Sequence, residues 1–430
     1  MRRLLCVGLC ILLLGVGGGG VVEGAETCAF PYQTTDATGT EVTIPANPDR
    51  IVTLTPSAAQ TMWEIDAFDE VVGTSVYASY LAGAEEKRVI SAEADQAMVE
   101  QIVDLEPTLV LVPNASHDPA VVGQLRGLAI PTVVFAEQTT LEEIADQTEA
   151  IGRLTGNCAA GELRATQLRA TIAAMGAATE DLERPRGLNT FYGYSSGAGT
   201  FTGDIMDTAG VSNLAAARFT GWQQLSEEVV ATDDPEWLIA PAESPIPDTP
   251  AYQSTTAVRT GQIIYLDTNE LQQPAPRAVN ATGAVLAAVH PVVHQDLLAA
   301  GPWYPIDEPP RFQASTLERH DEGIRVTVQP RTQVAAVRVT PSWGEQRTST
   351  LPDANGSHVL EVPSDPAASG GKLQIELQGP GGLTSVRVMA MEEAPVEMPA
   401  ERSHDRWLLL AAVIPAIAAP LVWVLLRNRW

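Results

Sequence analysis

Glu100 opens the stretch EQIVDLEPTLVLVP, and Glu228 opens EVVATDDPEWLIAP. Both follow one spacing, Glu-x6-Pro-x5-Pro, through Pro107 to Pro113 in the first copy and through Pro235 to Pro241 in the second. Each predicts a short amphipathic helix, a proline that ends it, and an apolar strand of the fully buried kind. A second apolar strand follows at a similar distance, PTVVF from Pro131 and QIIYL from Gln262. A duplicated α/β unit implies two lobes with a cleft between them. It also sets one carboxylate at an equivalent place on each lobe.

The 430 residues are 45% hydrophobic, enough for two or three domains with cores of their own. A net charge of −27 argues against a nucleic-acid partner, because phosphates need a basic face. Lys87 and Lys372 are the only lysines, so arginine carries almost all the positive charge. An acidic, lysine-poor surface suits concentrated salt, where screening removes self-repulsion.

The two ends read as membrane signals. Met1-Arg2-Arg3 followed by LLCVGLCILLLGVGGGGVV is a charged n-region and an apolar h-region, predicting a signal peptide over 1–25. Trp407 to Leu426 holds twenty uncharged residues, long enough to cross the ~30 Å hydrocarbon layer as a helix. Arg427 and Arg429 put the C-terminus in the cytoplasm. Cys28 and Cys158 remain in the mature chain, and two thiols in an exported protein point to a disulfide.

Between these ends the pattern divides the chain into an N-terminal α/β lobe over 26–155, an interlobe helix over 156–184 and a C-terminal α/β lobe over 185–300. A hairpin is expected over 34–45 and a helix from Ala58 to Phe68 with Ser57 as its N-cap. Proline-rich sequence over 301–310 marks a boundary. Alternating runs such as GIRVTVQP, HVLEVP and KLQIELQ over 311–391 then predict a small antiparallel β-sandwich, and 392–406 is a charged linker. Asn114, Asn280 and Asn355 each begin a glycosylation sequon.

The lobes resemble the substrate-binding proteins of ABC importers for corrinoids, ferric siderophores and haem. The resemblance is carried by RIVTLTPSAAQTMWEI (50–65), VVGTSVYASY (71–80), VEQIVDLEPTLVLVP (99–113), TFTGDIMDTAGVSNLA (200–215), WQQLSEEVVATDDPEWLI (222–239) and QPAPRAV (273–279). It implies the class III periplasmic-binding-protein arrangement, two α/β lobes joined by one rigid helix. The extra β-domain and C-terminal span look like the membrane-tethered versions of archaea, and with the acidic composition suggest a halophilic archaeon.

In that family one glutamate per lobe docks onto arginines of a two-fold symmetric permease, and the match falls on Glu100 and Glu228. Two exposed carboxylates complement a symmetric pair of guanidinium groups. Relative to the cobalamin-binding branch, Tyr77, Phe201 and Trp222 stand at positions that grip a flat chelate, while 91–96 lacks an aromatic and Pro113 replaces another. Arg277, and more weakly Arg218, would suit a ferric siderophore. Trp63 and Trp237 read as core. The implied partners are the permease, its ATPase and the chelate; the chain itself needs no cofactor, and the absence of Walker or Rossmann glycine patterns argues against nucleotide binding.

Two other function classes fit parts of the chain. Gly193-Tyr194-Ser195-Ser196-Gly197 matches the serine-hydrolase elbow, but a glycine-rich loop rather than a helix follows the serine. A surface adhesin would use the 311–391 domain for binding, where the plainer expectation is a spacer. The six histidines are scattered, which disfavours a free metal ion as ligand.

Overall fold

In the computed structural model, the sequence repeat becomes a repeat of topology. It describes residues 28–300 apart from 91–94, 113–118 and 245, together with strand segments between 312 and 390. The expected signal peptide (1–25), linker (392–406) and anchor (407–426) lie outside the described residues, as do Asn114 and Asn355. Among the described residues no helix is long and apolar enough to cross a membrane.

The first lobe begins with an antiparallel hairpin, β1 (Tyr32–Thr35) and β2 (Glu41–Ile44). Then come β3 (Ile51–Thr53), α1 (Pro56–Glu64), β4 (Val71–Ser75), β5 (Arg88–Ile90), α2 (Asp95–Val103), β6 (Leu109–Val112), α3 (Pro119–Gly127) and β7 (Thr132–Val134). These strands form one parallel sheet in the order β5-β4-β3-β6-β7. Every residue of β6 is buried, as a strand covered on both faces requires. The helix expected from Ala58 starts earlier. Pro56 takes the first helical position, so Thr55 rather than Ser57 caps it, accepting from the Ala58 N–H at 3.3 Å.

Helices α4 (Leu141–Leu154) and α5 (Cys158–Thr179) lead to the second lobe. α5 spans 22 residues, roughly 33 Å of helix. The two helices pack closely because Gly152 faces Gly161; a Cβ on Gly152 would sit 2.7 Å from the Gly161 Cα. Arg169 of α5 reaches Glu142, Asp146 and Glu149 along α4, at 3.0, 2.6 and 2.9 Å. Cys28 and Cys158 are bonded, tying the chain's start to the first residue of α5.

The second lobe comprises β8 (Arg186–Asn189), β9 (Tyr194–Ser196), α6 (Phe201–Thr208), β10 (Ser212–Asn213), β11 (Trp222–Gln224), α7 (Glu227–Asp233), β12 (Trp237–Pro241), α8 (Pro250–Gln253), α9 (Thr256–Thr260), β13 (Ile263–Leu266), α10 (Thr268–Leu271), α11 (Ala278–Val289) and α12 (Pro291–Ala300). Its parallel sheet runs β10-β8-β12-β13, so the trio β8-β12-β13 repeats β3-β6-β7. The echo reaches individual atoms. Glu106 and Asp234, each just before the repeat's proline, both adopt left-handed φ (48° and 42°), the conformation that commonly ends a helix. The Thr108 N–H bonds Arg50 O at 2.8 Å, and the Glu236 N–H bonds Arg186 O at 2.9 Å. Arg50 donates from Nε to Leu105 O at 2.9 Å and Arg186 from Nη1 to Asp233 O at 3.0 Å, so a guanidinium closes the end of each repeat helix.

Beyond residue 311, β14 (Phe312–His320), β15 (Gly323–Pro330) and β18 (His358–Val362) form one antiparallel sheet. β16 (Ala336–Pro341), β17 (Arg347–Ser349), β19 (Lys372–Gln378) and β20 (Thr384–Ala390) form another, in the order β17-β16-β19-β20. Val326, Val328 and Leu360 of the first sheet share a buried cluster with Val337, Val339, Leu373 and Ile375 of the second.

Candidate ligand-binding cleft and docking face

The lobes meet through a buried ionic node. α1 follows the carboxyl end of β3, and the loop before α11 follows the carboxyl end of β13 and α10. Glu64 at the end of α1 accepts from Arg277 Nε at 2.8 Å and pairs with Arg164 of α5. Its side chain is 1% exposed and that of Arg164 3%. The Arg277 N–H bonds Gln60 Oε1 at 3.0 Å, and its guanidinium lies 4.5 Å over the Trp63 ring. Gln60 Nε2 in turn donates to the Tyr80 hydroxyl at 2.7 Å, and burial pushes that phenol up to about 12. A single carboxylate thus holds the first lobe, the connecting helix and the second lobe together. Farther along, Asp204 of α6 accepts the Leu141 N–H at 2.7 Å, a second bridge at the start of α4.

Because the segments leaving β3 and β13 meet here, the carboxyl edges of both sheets lie on the side where the lobes adjoin. Open α/β sheets bind ligands at that edge. On the first lobe, the turn after β4 presents Val76 and Tyr77, the latter 43% exposed. On the second, Trp222 of β11 is half-buried and Phe191 packs edge-on to it, centroids 6.3 Å apart. Phe201 opens α6 but is 9% exposed, packed with Ile205, Met206 and Leu271, because its helix lays it into the lobe's core. Arg277 is committed to the node rather than presented alone to the cleft. Burial pushes Glu270, which accepts from Asn280 at 3.0 Å, above the usual carboxylate range. The Asn280 sequon therefore lies inside α11, its amide engaged and Thr282 fully buried. Arg218 pairs with Asp233 from Nε at 2.7 Å.

Glu100 and Glu228 are both exposed, on α2 and α7. Their places within the helices differ from the expectation that each begins one. α2 starts at Asp95, so Glu100 sits in its second half, whereas Glu228 is in the first turn of α7 behind the Ser226 cap. Relative to β6 and β12 they remain equivalent, each nine residues ahead (109 − 100 = 237 − 228 = 9). Ser195 stands in β9, 1% exposed, so no substrate reaches its hydroxyl and the elbow geometry is missing. The sequence reading missed the Phe191–Tyr192 pair and the Glu64–Arg164 contact. Tyr192-Gly193, an aromatic–glycine pair after a short strand, was the available sign of a turn.

Residues 51–270 match the periplasmic binding protein family model. A cobalamin-binding protein of Halobacterium salinarum is 37% identical over 286 residues, covering 62% of this chain and 76% of that protein. Among solved structures, the periplasmic vitamin B12 binding protein BtuF of Vibrio cholerae aligns at TM-score 0.51 and 22% identity, over 58% of this chain and 99% of its own. The periplasmic heme-binding protein RhuT of Roseiflexus aligns at TM-score 0.50 and 24% identity, over 57% and 99%. With its doubled parallel sheets, the long helix α5 between them and a family match over half its length, this chain belongs to the periplasmic binding protein family.

Proposed function

We propose that the chain is the extracytoplasmic solute-binding subunit of an ABC importer, and that it captures a corrinoid between its lobes and hands it to the permease. The observation that carries the reading is the matched pair Glu100 and Glu228, exposed at equivalent points of two repeated units. A pseudo-symmetric pair of carboxylates suits a two-fold symmetric partner bearing arginines. The cobalamin-binding relative of Halobacterium salinarum favours a corrinoid over haem or a ferric siderophore. Tyr77, Trp222 and the rim of Phe201 supply the contacts to a flat chelate, and Arg277 sets the lobe angle that spaces them.

In this reading 1–25 directs export, 407–426 anchors the chain with its C-terminus in the cytoplasm, and the 311–391 β-domain spaces the lobes from the membrane. Tethering raises the local concentration of binding protein at the permease. ATP is used by other chains. Cells carrying Glu100→Arg or Glu228→Arg should take up labelled cyanocobalamin at no more than roughly a tenth of the wild-type rate, an interfacial charge pair being worth more than about 1.5 kcal/mol. Ligand affinity of the purified variants should stay within about twofold, since neither residue lies at the sheets' carboxyl edges. Normal uptake by both variants contradicts the docking role.

A further inference from the structure

We propose that Tyr192 is a ligand-recognition residue, held in the cleft by a turn built against its own sequence preference. Phe191 and Tyr194 exchange both backbone hydrogen bonds, at 2.8 and 2.9 Å, leaving Tyr192 and Gly193 as the central pair of a two-residue turn. Both have positive φ, 49° and 81°. That sign pattern belongs to a type I′ turn, in which the first central position favours Asn, Asp or Gly. A tyrosine there meets the Cβ clash that makes left-handed backbone costly for a bulky residue. The residue is 45% exposed and belongs to no buried core, so the bulk is not there to fill the fold's interior.

Its surroundings fix the strained conformation instead of relieving it. The Tyr192 N–H donates to Ser244 Oγ at 3.1 Å, and Ser244 is 1% exposed in the loop leaving β12. Phe191 braces the ring edge-on, centroids 4.8 Å apart, and also braces Trp222. The turn leaves the carboxyl end of β8, a central strand of its sheet, and so stands at the edge that adjoins the other lobe. Strain kept at an exposed aromatic on a ligand-binding edge marks function rather than folding. A rigid ring braced on one side offers its free face to a flat conjugated partner, and the partner class is a planar macrocyclic chelate.

This inference rests on the cleft reading, and the test separates the two. Tyr192→Asn installs the residue the turn prefers, so its melting temperature should equal or exceed that of the wild type. Full-length wild type, Tyr192→Asn and Tyr192→Phe are titrated with cyanocobalamin, and separately with haemin, by tryptophan quenching. The expected result is at least a tenfold weaker dissociation constant for Tyr192→Asn and at most a twofold change for Tyr192→Phe. Wild-type affinity in a folded Tyr192→Asn overturns the role of the ring while the cleft reading stands. A wild type that binds neither probe overturns the cleft reading, and this proposal with it.

Discussion

Replacing Glu64 by Gln removes a carboxylate that three elements share. Arg164, 3% exposed, would keep its charge in the interior with a neutral amide and the 3.4 Å contact to Gln167 Oε1 in place of the ion pair. Removing one partner of a buried pair costs about 3–5 kcal/mol, because the other charge is left uncompensated. For a domain of this size each kcal/mol lowers the melting temperature by roughly 2–4 °C, so Glu64→Gln should melt about 10 °C lower. The control is Glu142→Gln, whose pair with Arg169 is 55% and 33% exposed; it should cost less than about 1 kcal/mol. Glu64→Leu with Arg164→Leu should recover part of the loss, since an apolar pair of similar volume often replaces a buried ion pair at no cost, while Arg277, 18% exposed, still loses its partner. Differential scanning calorimetry in high salt reads all three. A Glu64→Gln protein melting within about 2 °C of the wild type refutes the node as an organising contact, and so does a double variant no better than the single.

Two further tests address pH and covalent structure. Burial pushes the Asp204 carboxyl above its ordinary 3.8, with Asp207 and Glu143 adding to it and the Leu141 N–H opposing. The folded state then holds a proton more tightly than the unfolded state, so this group's contribution to stability falls as pH rises from about 3.8 through the raised value. Asp204→Asn, which can still accept from Leu141, should melt no lower than the wild type at pH 8 and lose that advantage towards pH 4; a lower melting temperature at pH 8 contradicts the assignment. Cys158→Ser opens a loop of 130 residues, worth at most about 5 kcal/mol by chain entropy. Its melting temperature should fall to that of the reduced wild type, and a loss without reductant sensitivity in the wild type would show the thiols unpaired.

The doubled strand–proline pattern was legible because a proline stops a helix and a fully buried strand is apolar throughout, so both lobes and their shared topology followed from two short stretches. The runs at 323–330 and 358–362 likewise became β15 and β18 because period-two alternation has few other readings. Local capping was less legible. Ser57 and Thr55 are both good caps, and Pro56 at the first helical position decided between them. The start of α2 was placed too late because the apolar periodicity is weak before Val99. The node was invisible for a different reason: Glu64 meets Arg164 and Arg277 across 100 and 213 residues of sequence, and no local pattern reports such a contact. Phe201 shows that a matching position does not fix exposure, since the first turn of α6 lays most of the ring into the core.

The most direct test of the account is isothermal titration of the full-length protein, in concentrated salt, with cyanocobalamin. Saturable binding of one corrinoid per chain is expected, with a dissociation constant on the order of 1 μM or tighter. A flat titration with cyanocobalamin and with cobinamide, from a protein that melts cooperatively, would contradict it.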